Sequence, residues 1–423
     1  MKGSFKAKAA RLLLSALLLL PAPAAARARA SQIKNLRPTV ILVSLDGFRH
    51  DYLAKYRPRN LGALARAGVR ARWMTPSFPT KTYPNHYTIA TGLYPQRHGI
   101  VENNIYDAGF RAVFTLADRA EVENGRWWLG EPIWVTAEKQ GQKSASVFFP
   151  GTEAEIAGRR PTYWRRYDEK MPNAARVDLI LSWLDLPPAE RPTCLSLYFS
   201  DADDAGHAFG PDSEETRAAV ARLDAALGRL VRGLKARGIF GRVNLVVVSD
   251  HGMAAVDLAD AVVLDEIFDT AAAERVFWTP EIVSIFPRAG REGEIYAALK
   301  KGLPPQARVY RKSELPARLH YGDGPRVAPL LVLPAEGWTL TTRRRLENLR
   351  ERGELGKPKG SHGYDNALAS MRALFVAHGP AFKRRKLAEP FANVHVYNVL
   401  ARVLDLDPAP NDGGQSVARD LLR

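Results

Sequence analysis

Three separated runs of β-branched residues and leucines each stop at an acidic or histidine-bearing segment. TVILVSLDG reaches Asp46, CLSLYFSDADDAGH runs into Asp203 and His207, and NLVVVSDHG reaches Asp250 and His251. Runs this short and apolar, alternating with helical patterns, read as buried parallel strands of an α/β sheet. In open sheets of that kind ligands bind beyond the carboxyl ends of the strands. Residues remote in sequence are therefore predicted to meet in acidic and histidine-bearing loops at one sheet edge.

Between the second and third runs, SEETRAAVARLDAALGRLVRGLKARG spaces Val220, Leu223, Leu227, Leu230, Val231 and Leu234 three and four residues apart. This predicts an amphipathic helix ending at Gly238 and packed on the sheet. MRALFVAHGPAF reads as a further, late strand. From about 255 to 355 the texture changes to EIVSIFPR, GEIYAALKKGL, ARVYRKSEL and PLLVLPAEG, which predicts a small α+β insertion. The expected architecture is one α/β/α domain over 31–423 with an inserted lobe at about 255–355.

The first 30 residues are read separately. Lys2, Lys6, Lys8 and Arg11 precede the short apolar run LLLSALLLL, and Ala24, Ala25 and Ala26 offer a cleavage site, the pattern of a cleaved signal peptide. The run is too short to span a bilayer, which takes roughly 20 residues, so no membrane anchor is expected after cleavage. A periplasmic or secreted location follows. Cys194, the single cysteine, excludes an internal disulfide, and its apolar surroundings predict a buried strand residue.

The chain is basic, with 61 Lys and Arg against 45 Asp and Glu and a formal charge of +16. That balance favours anionic partners in general. The densest basic groups, TTRRRLENLRER and FKRRK, contain no interleaved aromatics, which argues against a stable nucleic-acid partner.

Asp46, Asp203, His207, Asp250, His251 and His362, the last in GSHGYDN, are the oxygen and nitrogen ligand types that zinc takes. Six such residues suit two ions, with open positions left for substrate. Each alone has an ordinary reading as a turn or helix-capping residue; their joint occurrence in this order is harder to explain by packing.

In order, SLDGFR, PTKTYPNHYTIATGLYPQRHGI, DADDAGH, SDHGM and GSHGYDN closely resemble the nucleotide pyrophosphatase/phosphodiesterase family of the alkaline phosphatase superfamily, and the chain looks like a bacterial member. The likeness spans roughly 38 to 405. It implies an alkaline-phosphatase-like α/β/α sandwich with a central, largely parallel sheet, and makes 31–423 a catalytic phosphodiesterase domain. It also implies two zinc ions per chain, one held by Asp46, Asp250 and His251 and the other by Asp203, His207 and His362. No motif position is substituted, so an inactive, purely nucleotide-binding relative is not indicated.

The resemblance makes Thr82 in KTYPN the nucleophile, with Thr80 two residues earlier as the alternative. A zinc-bound hydroxyl gives up its proton readily, so no side-chain base is needed. Pro84 and the following NHYTIATG predict a helix start, which sets Thr82 where negative charge is favoured. Asn103 matches the amide that donates to a phosphate oxygen in the transition state, with neighbouring Asn104 a loop residue. His86 and His98 are read as structural, and Lys81 as solvated.

Metals alone do not choose between monoester and diester. FFPGTEAEIAG resembles a family segment next to the site and offers Glu153 where a monoesterase would want a Lys/Arg pair, which favours a diester or pyrophosphate. Tyr83, after the nucleophile, and Tyr167, in YWRRYDEK, stand where nucleotide-handling members put two aromatics. Stacking between them is worth about 1 to 3 kcal/mol and tolerates any base. Tyr198 matches a further pocket aromatic. The expected substrates are small-molecule nucleotide phosphodiesters or pyrophosphates, cleaved through a phospho-threonine to release nucleoside 5'-monophosphates. Choline or lysophospholipid phosphodiesters rank second, and phosphomonoesters third.

Overall fold

The computed structural model describes residues 32–423; the segment read as a signal peptide lies outside them. Among the described residues no helix is long and apolar enough to cross a membrane.

The scaffold is an eight-stranded sheet. From one edge to the other its strands are Lys386–Ala388, Val69–Ala71, Phe375–His378, Asn244–Val248, Val40–Leu45, Cys194–Phe199, Ser144–Val147 and Tyr163–Arg165. All neighbours pair in parallel except Phe375–His378, which runs antiparallel to both strands beside it. The predicted late strand is thus the one reversal in the sheet. Val40–Leu45, Cys194–Phe199 and Asn244–Val248 are buried at every position. Continuous apolar runs are what a sheet covered on both faces requires.

Each face has its own apolar cluster. One gathers the helices Thr82–Thr91, Ile133–Lys139 and Val396–Leu404, the other Arg59–Ala67, Asn173–Leu184 and Glu214–Ala236. The last of these is the predicted amphipathic helix. The Ser213 hydroxyl accepts from the Thr216 N–H at its start, and Gly238 at φ +68° lies just past its end. Val220, Leu223, Leu227, Leu230 and Leu234 point into the core, with half-buried Val231 at the rim.

After His251 the chain leaves the sheet along Ala254–Val256 and returns along Lys359–Ser361, and these two segments pair antiparallel, Ala254 opposite Ser361. Between them lies a four-stranded antiparallel sheet in the order Ala273–Thr279, Ile282–Pro287, Leu330–Pro334, Ala307–Arg311, with the helix Glu292–Gly302. Val283, Ile285, Leu299 and Val332 belong to an apolar cluster separate from those of the main sheet. Glu281, in the turn between the first two of these strands, points back into the protein and is buried.

Candidate active site

The three central strands bring their ends level, with Ser44 opposite Val248 and Leu45 opposite Phe199. Asp46 therefore meets Asp250 and His251 just beyond the sheet. Asp203 and His207 differ from the expected loop: they lie four residues apart on the helix Asp201–Phe209, a spacing that sets both on one face. His362 follows the returning strand Lys359–Ser361. Glycine is needed at position 47 on two counts, the left-handed φ of +63° and the space that a side chain would take. The Gly47 N–H donates to Asp250 Oδ1 at 3.2 Å, and a Cβ on it would come within 2.9 Å of the Asp203 backbone.

Two groups of ligand atoms result. In the first, His251 Nε2 is 2.9 Å from Asp250 Oδ2 and 3.4 Å from Asp46 Oδ1. In the second, Asp203 Oδ1 is 3.5 Å from the Nε2 atoms of both His207 and His362, which are 3.0 Å apart. The His251 and His362 rings stack with centroids 3.5 Å apart, joining the groups. Each histidine has its Nδ1 against a backbone carbonyl, of Gly360 for His207, Gly252 for His251 and Thr80 for His362, at 2.7 to 2.9 Å. A carbonyl only accepts, so Nδ1 carries the hydrogen in the tautomer assigned from these partners, and the Nε2 lone pairs face one another and the carboxylates. Asp46 Oδ1, Asp203 Oδ1 and Asp250 Oδ2 are buried without a hydrogen-bond donor. Acceptors converging with no donor among them fit cations.

The same conclusion follows from charge. Burial, with the neighbouring carboxylates, pushes the Asp46 carboxyl well above its usual range; burial chiefly, and also Asp203, raises Asp250. Burial chiefly, and the ammonium of buried Lys81 nearby, holds His362 well below its own. Divalent ions reverse this logic. A carboxyl raised in the folded state adds no penalty below the ordinary carboxylate range, near pH 4, and weakens the fold as pH rises above it, by up to about 1.4 kcal/mol per unit for each group. Depressed His362, neutral in the folded chain, acts the other way below about pH 6.5, so the chelated protein is expected to melt progressively lower from about pH 6.5 to about pH 8, and the gap to metal-loaded protein to widen. A pH-independent gap in thermal melts would count against these carboxylates as ligands.

Thr82 opens the helix Thr82–Thr91, and its Oγ1 is 3.4 Å from His251 Nε2, beside the first group. Thr80 is committed elsewhere: its hydroxyl donates to the Tyr364 carbonyl at 3.0 Å and accepts from the Gly363 N–H at 2.9 Å, fastening the His362 loop. His86 bonds the Thr82 carbonyl through Nδ1 and the Ser44 hydroxyl through Nε2, at 2.8 and 2.7 Å, and His98 bonds the Thr88 hydroxyl. Asn103 Oδ1 accepts from the Tyr83 N–H at 3.1 Å, which ties the amide to the start of the same helix. Asn104 begins a strand, Asn104–Asp107.

Lys81 departs from expectation. It is buried and ion-paired with Glu281, which also accepts from the Ser361 hydroxyl. Burial alone would lower its ammonium, but Glu281 and Glu102 outweigh that and raise it. The sequence reading missed this network because Lys81 and Glu281 come from unrelated segments.

The four residues expected to meet substrate divide. Tyr83 is half-buried, set edge-on to Phe114 and tilted on Trp128. Tyr167 is 40% exposed, its ring edge-on to Phe148. Tyr198 is buried, and its hydroxyl donates to Asp46 Oδ2 at 2.5 Å, so it steadies that carboxylate. Glu153 is buried too. One of its oxygens accepts from the Tyr167 N–H at 2.7 Å and the other pairs with Arg119, so it ties these two segments together. Arg119, unnoticed in the sequence, acts on Tyr83, whose phenol burial pushes up to about 12 against the arginine's pull.

A largely parallel sheet ending in two carboxylate and histidine groups beside a helix-terminal threonine defines an alkaline-phosphatase-like hydrolase. The chain belongs to the type I phosphodiesterase / nucleotide pyrophosphatase family, whose model matches residues 40–365. It is 41% identical over 404 residues to an uncharacterised pyrophosphatase/phosphodiesterase of Schizosaccharomyces pombe, covering 91% of this chain and 80% of that one. It is 37% identical over 396 residues to ectonucleotide pyrophosphatase/phosphodiesterase family member 3 of Rattus norvegicus, covering 92% of this chain but 44% of the rat protein. It thus spans less than half of that longer relative. Murine ectonucleotide pyrophosphatase/phosphodiesterase 5 superposes with a TM-score of 0.84 at 34% identity, over 91% of this chain and all of the murine one. The murine enzyme has also been solved as an inactive threonine-to-alanine variant in complex with AMP.

Proposed function

We propose that residues 31–423 form a catalytic domain that hydrolyses nucleotide phosphodiester and pyrophosphate bonds at a two-zinc site. The carrying observation is the position of Thr82, at a helix start and beside converging ligand groups that lack donors. Zinc held by Asp46, Asp250 and His251 and by Asp203, His207 and His362 would lower the pKa of a bound hydroxyl and offset charge on the phosphoryl group. Thr82 Oγ1 attacks phosphorus in line, the bond to the leaving oxygen breaks, and a phospho-threonine forms. Water then attacks phosphorus, releasing the nucleoside 5'-monophosphate and restoring the hydroxyl. Asn103, its Oδ1 held by the Tyr83 N–H, turns its amide N–H groups toward a non-bridging oxygen.

Substrate class rests on the tyrosines and on charge. Tyr83 and Tyr167 supply faces for a base, and the AMP complex of the murine relative is consistent with such a ligand. Arg119 does not offer a free charge for a monoester, because Glu153 and Glu123 meet it. The N-terminal pattern supports export from a bacterial cell to the periplasm or beyond; the relatives named above are eukaryotic.

The test is a rate comparison of zinc-loaded protein on a thymidine 5'-monophosphate nitrophenyl diester, nitrophenyl phosphate and nitrophenylphosphorylcholine. The nucleotide diester is expected to lead; phosphorylcholine in front would keep the metal chemistry and overturn the pocket. Within that assay Tyr83→Ala is expected to raise KM for the nucleotide diester about 5- to 100-fold, leaving bis-nitrophenyl phosphate nearly unchanged. Equal losses on both substrates would mean that Tyr83 supports the helix instead of a base.

A further inference from the structure

The sheet's outer edge carries a second concave feature that shares no residue with the catalytic groups. A cavity of about 1190 Å³ lies between the helix Arg59–Ala67 and the edge strand Lys386–Ala388. Arg57, Arg59, Arg66, Arg70, Arg385 and Lys386 line it, and no carboxylate does. The five arginines have no acidic partner within ion-pair distance among the described residues, whereas Lys386 pairs with Asp420 at 2.8 Å. The nearby Asp224 is occupied by the backbone N–H groups of Asn60 and Leu61. Glu214 and Glu215 face an adjoining cleft that shares Arg57 and Arg59.

Folded surfaces ordinarily intersperse the two signs, because like charges held together repel one another. Here three chain segments converge to build the opposite. Two of the arginines, Arg57 at φ +50° and Arg385 at φ +52°, hold left-handed backbone, which is uncommon outside glycine. Strained residues of this kind cluster at binding sites. Guanidinium forks match phosphate oxygens in pairs, and several in one concavity match several phosphates. The lining has no aromatic ring on which a base could stack, unlike the pocket with Tyr83 and Tyr167.

We propose that this basin is a second binding site, for a ligand carrying several phosphates close together and recognised through phosphate alone. Arg70 and Leu387 are opposite each other on neighbouring strands, and Leu387 is 44% exposed at the rim. The phosphates belong either to a soluble oligophosphate or to an anionic lipid headgroup, and the experiment separates the two.

Metal-loaded protein, the Arg66→Glu/Arg385→Glu variant and an Arg344→Glu/Arg345→Glu control are compared. The control makes the same net charge change on the exposed helix Arg343–Glu351. Binding of inorganic tripolyphosphate is measured by calorimetry, and binding to phosphatidylcholine vesicles containing cardiolipin by sedimentation. The catalytic site contributes equally to all three proteins, so only differences between them count. The basin variant is expected to bind about tenfold or more weakly than its parent, with the control within about twofold. Loss with tripolyphosphate supports the basin with a soluble ligand; loss confined to vesicles supports it with a lipid one. Equal loss in both variants, or loss in neither, overturns the proposal.

Discussion

Thr82→Ala is expected to lower turnover of nucleotide diesters by about 10⁴-fold or more, the scale on which removal of a nucleophile acts, while the protein still binds close to two zinc ions. The separation follows from geometry. Thr82 Oγ1 lies 3.4 Å from His251 Nε2, but five of the six side chains proposed as ligands are held by other contacts. Backbone carbonyls fix the three histidines, and Tyr198 and the Gly47 N–H fix Asp46 and Asp250. The helix Thr82–Thr91 is buried along almost its whole length, so loss of one hydroxyl at its first residue leaves the packing intact. Metal content by atomic emission and quenched-flow trapping of labelled phospho-protein check the two halves. A variant that keeps its metal and still turns over within tenfold of its parent would remove Thr82 as nucleophile. Thr80 would not be the first replacement, since its hydroxyl is already bonded to Tyr364 and Gly363.

The residues of the two candidate metal groups were legible because their signal is local. An acidic residue or histidine at the end of a buried apolar run needs no partner in view, and three such runs in one α/β chain point to one sheet edge. The order of the strands was not legible, and neither was the antiparallel direction of Phe375–His378, because nothing local in its apolar residues records which neighbours it takes. Lys81 was misread, and the contact of Tyr198 with Asp46 was missed, for a related reason. Tyr198 is the fifth residue of Cys194–Phe199, and its role depends on Asp46 two positions beyond the neighbouring strand's partner residue. Lys81 reads as solvated because a lysine between threonines in a polar stretch ordinarily is. Its burial is made possible by Glu281, which arrives on a turn of the inserted sheet. FKRRK shows the same limit: its charge was visible, but the converging Arg57, Arg59, Arg66 and Arg70 appear only once Lys386–Ala388 pairs with Val69–Ala71.

That Lys81–Glu281 pair sets the second large expectation. Glu281→Gln is expected to destabilise the folded protein by about 3 to 5 kcal/mol, the cost of leaving one member of a buried ion pair uncompensated. Lys81 stands immediately before Thr82, and the Gly363 backbone passes so near that a Cβ there would lie 2.5 Å from Lys81 Cε. Ser361 donates to Glu281, and Glu102, close enough to act on Lys81, accepts from the Asn103 N–H at 2.7 Å. One buried network thus touches the residue before the nucleophile, both neighbours of His362 and the residue after Glu102 that is proposed to meet the phosphate. A second substitution separates charge from packing. Lys81→Met together with Glu281→Leu removes both charges and is expected to recover most of the stability, because apolar replacement of a buried pair is often neutral. It is not expected to recover kcat, which should remain about 10- to 100-fold down with KM little changed, since small misplacement of the reacting groups has effects of that size. Denaturant melts and steady-state kinetics on metal-loaded protein read both quantities. Full recovery of kcat in the double variant would reduce the pair to a structural contact, whereas recovery of stability alone would make Glu281 a positioning residue that the inserted sheet contributes to the catalytic edge.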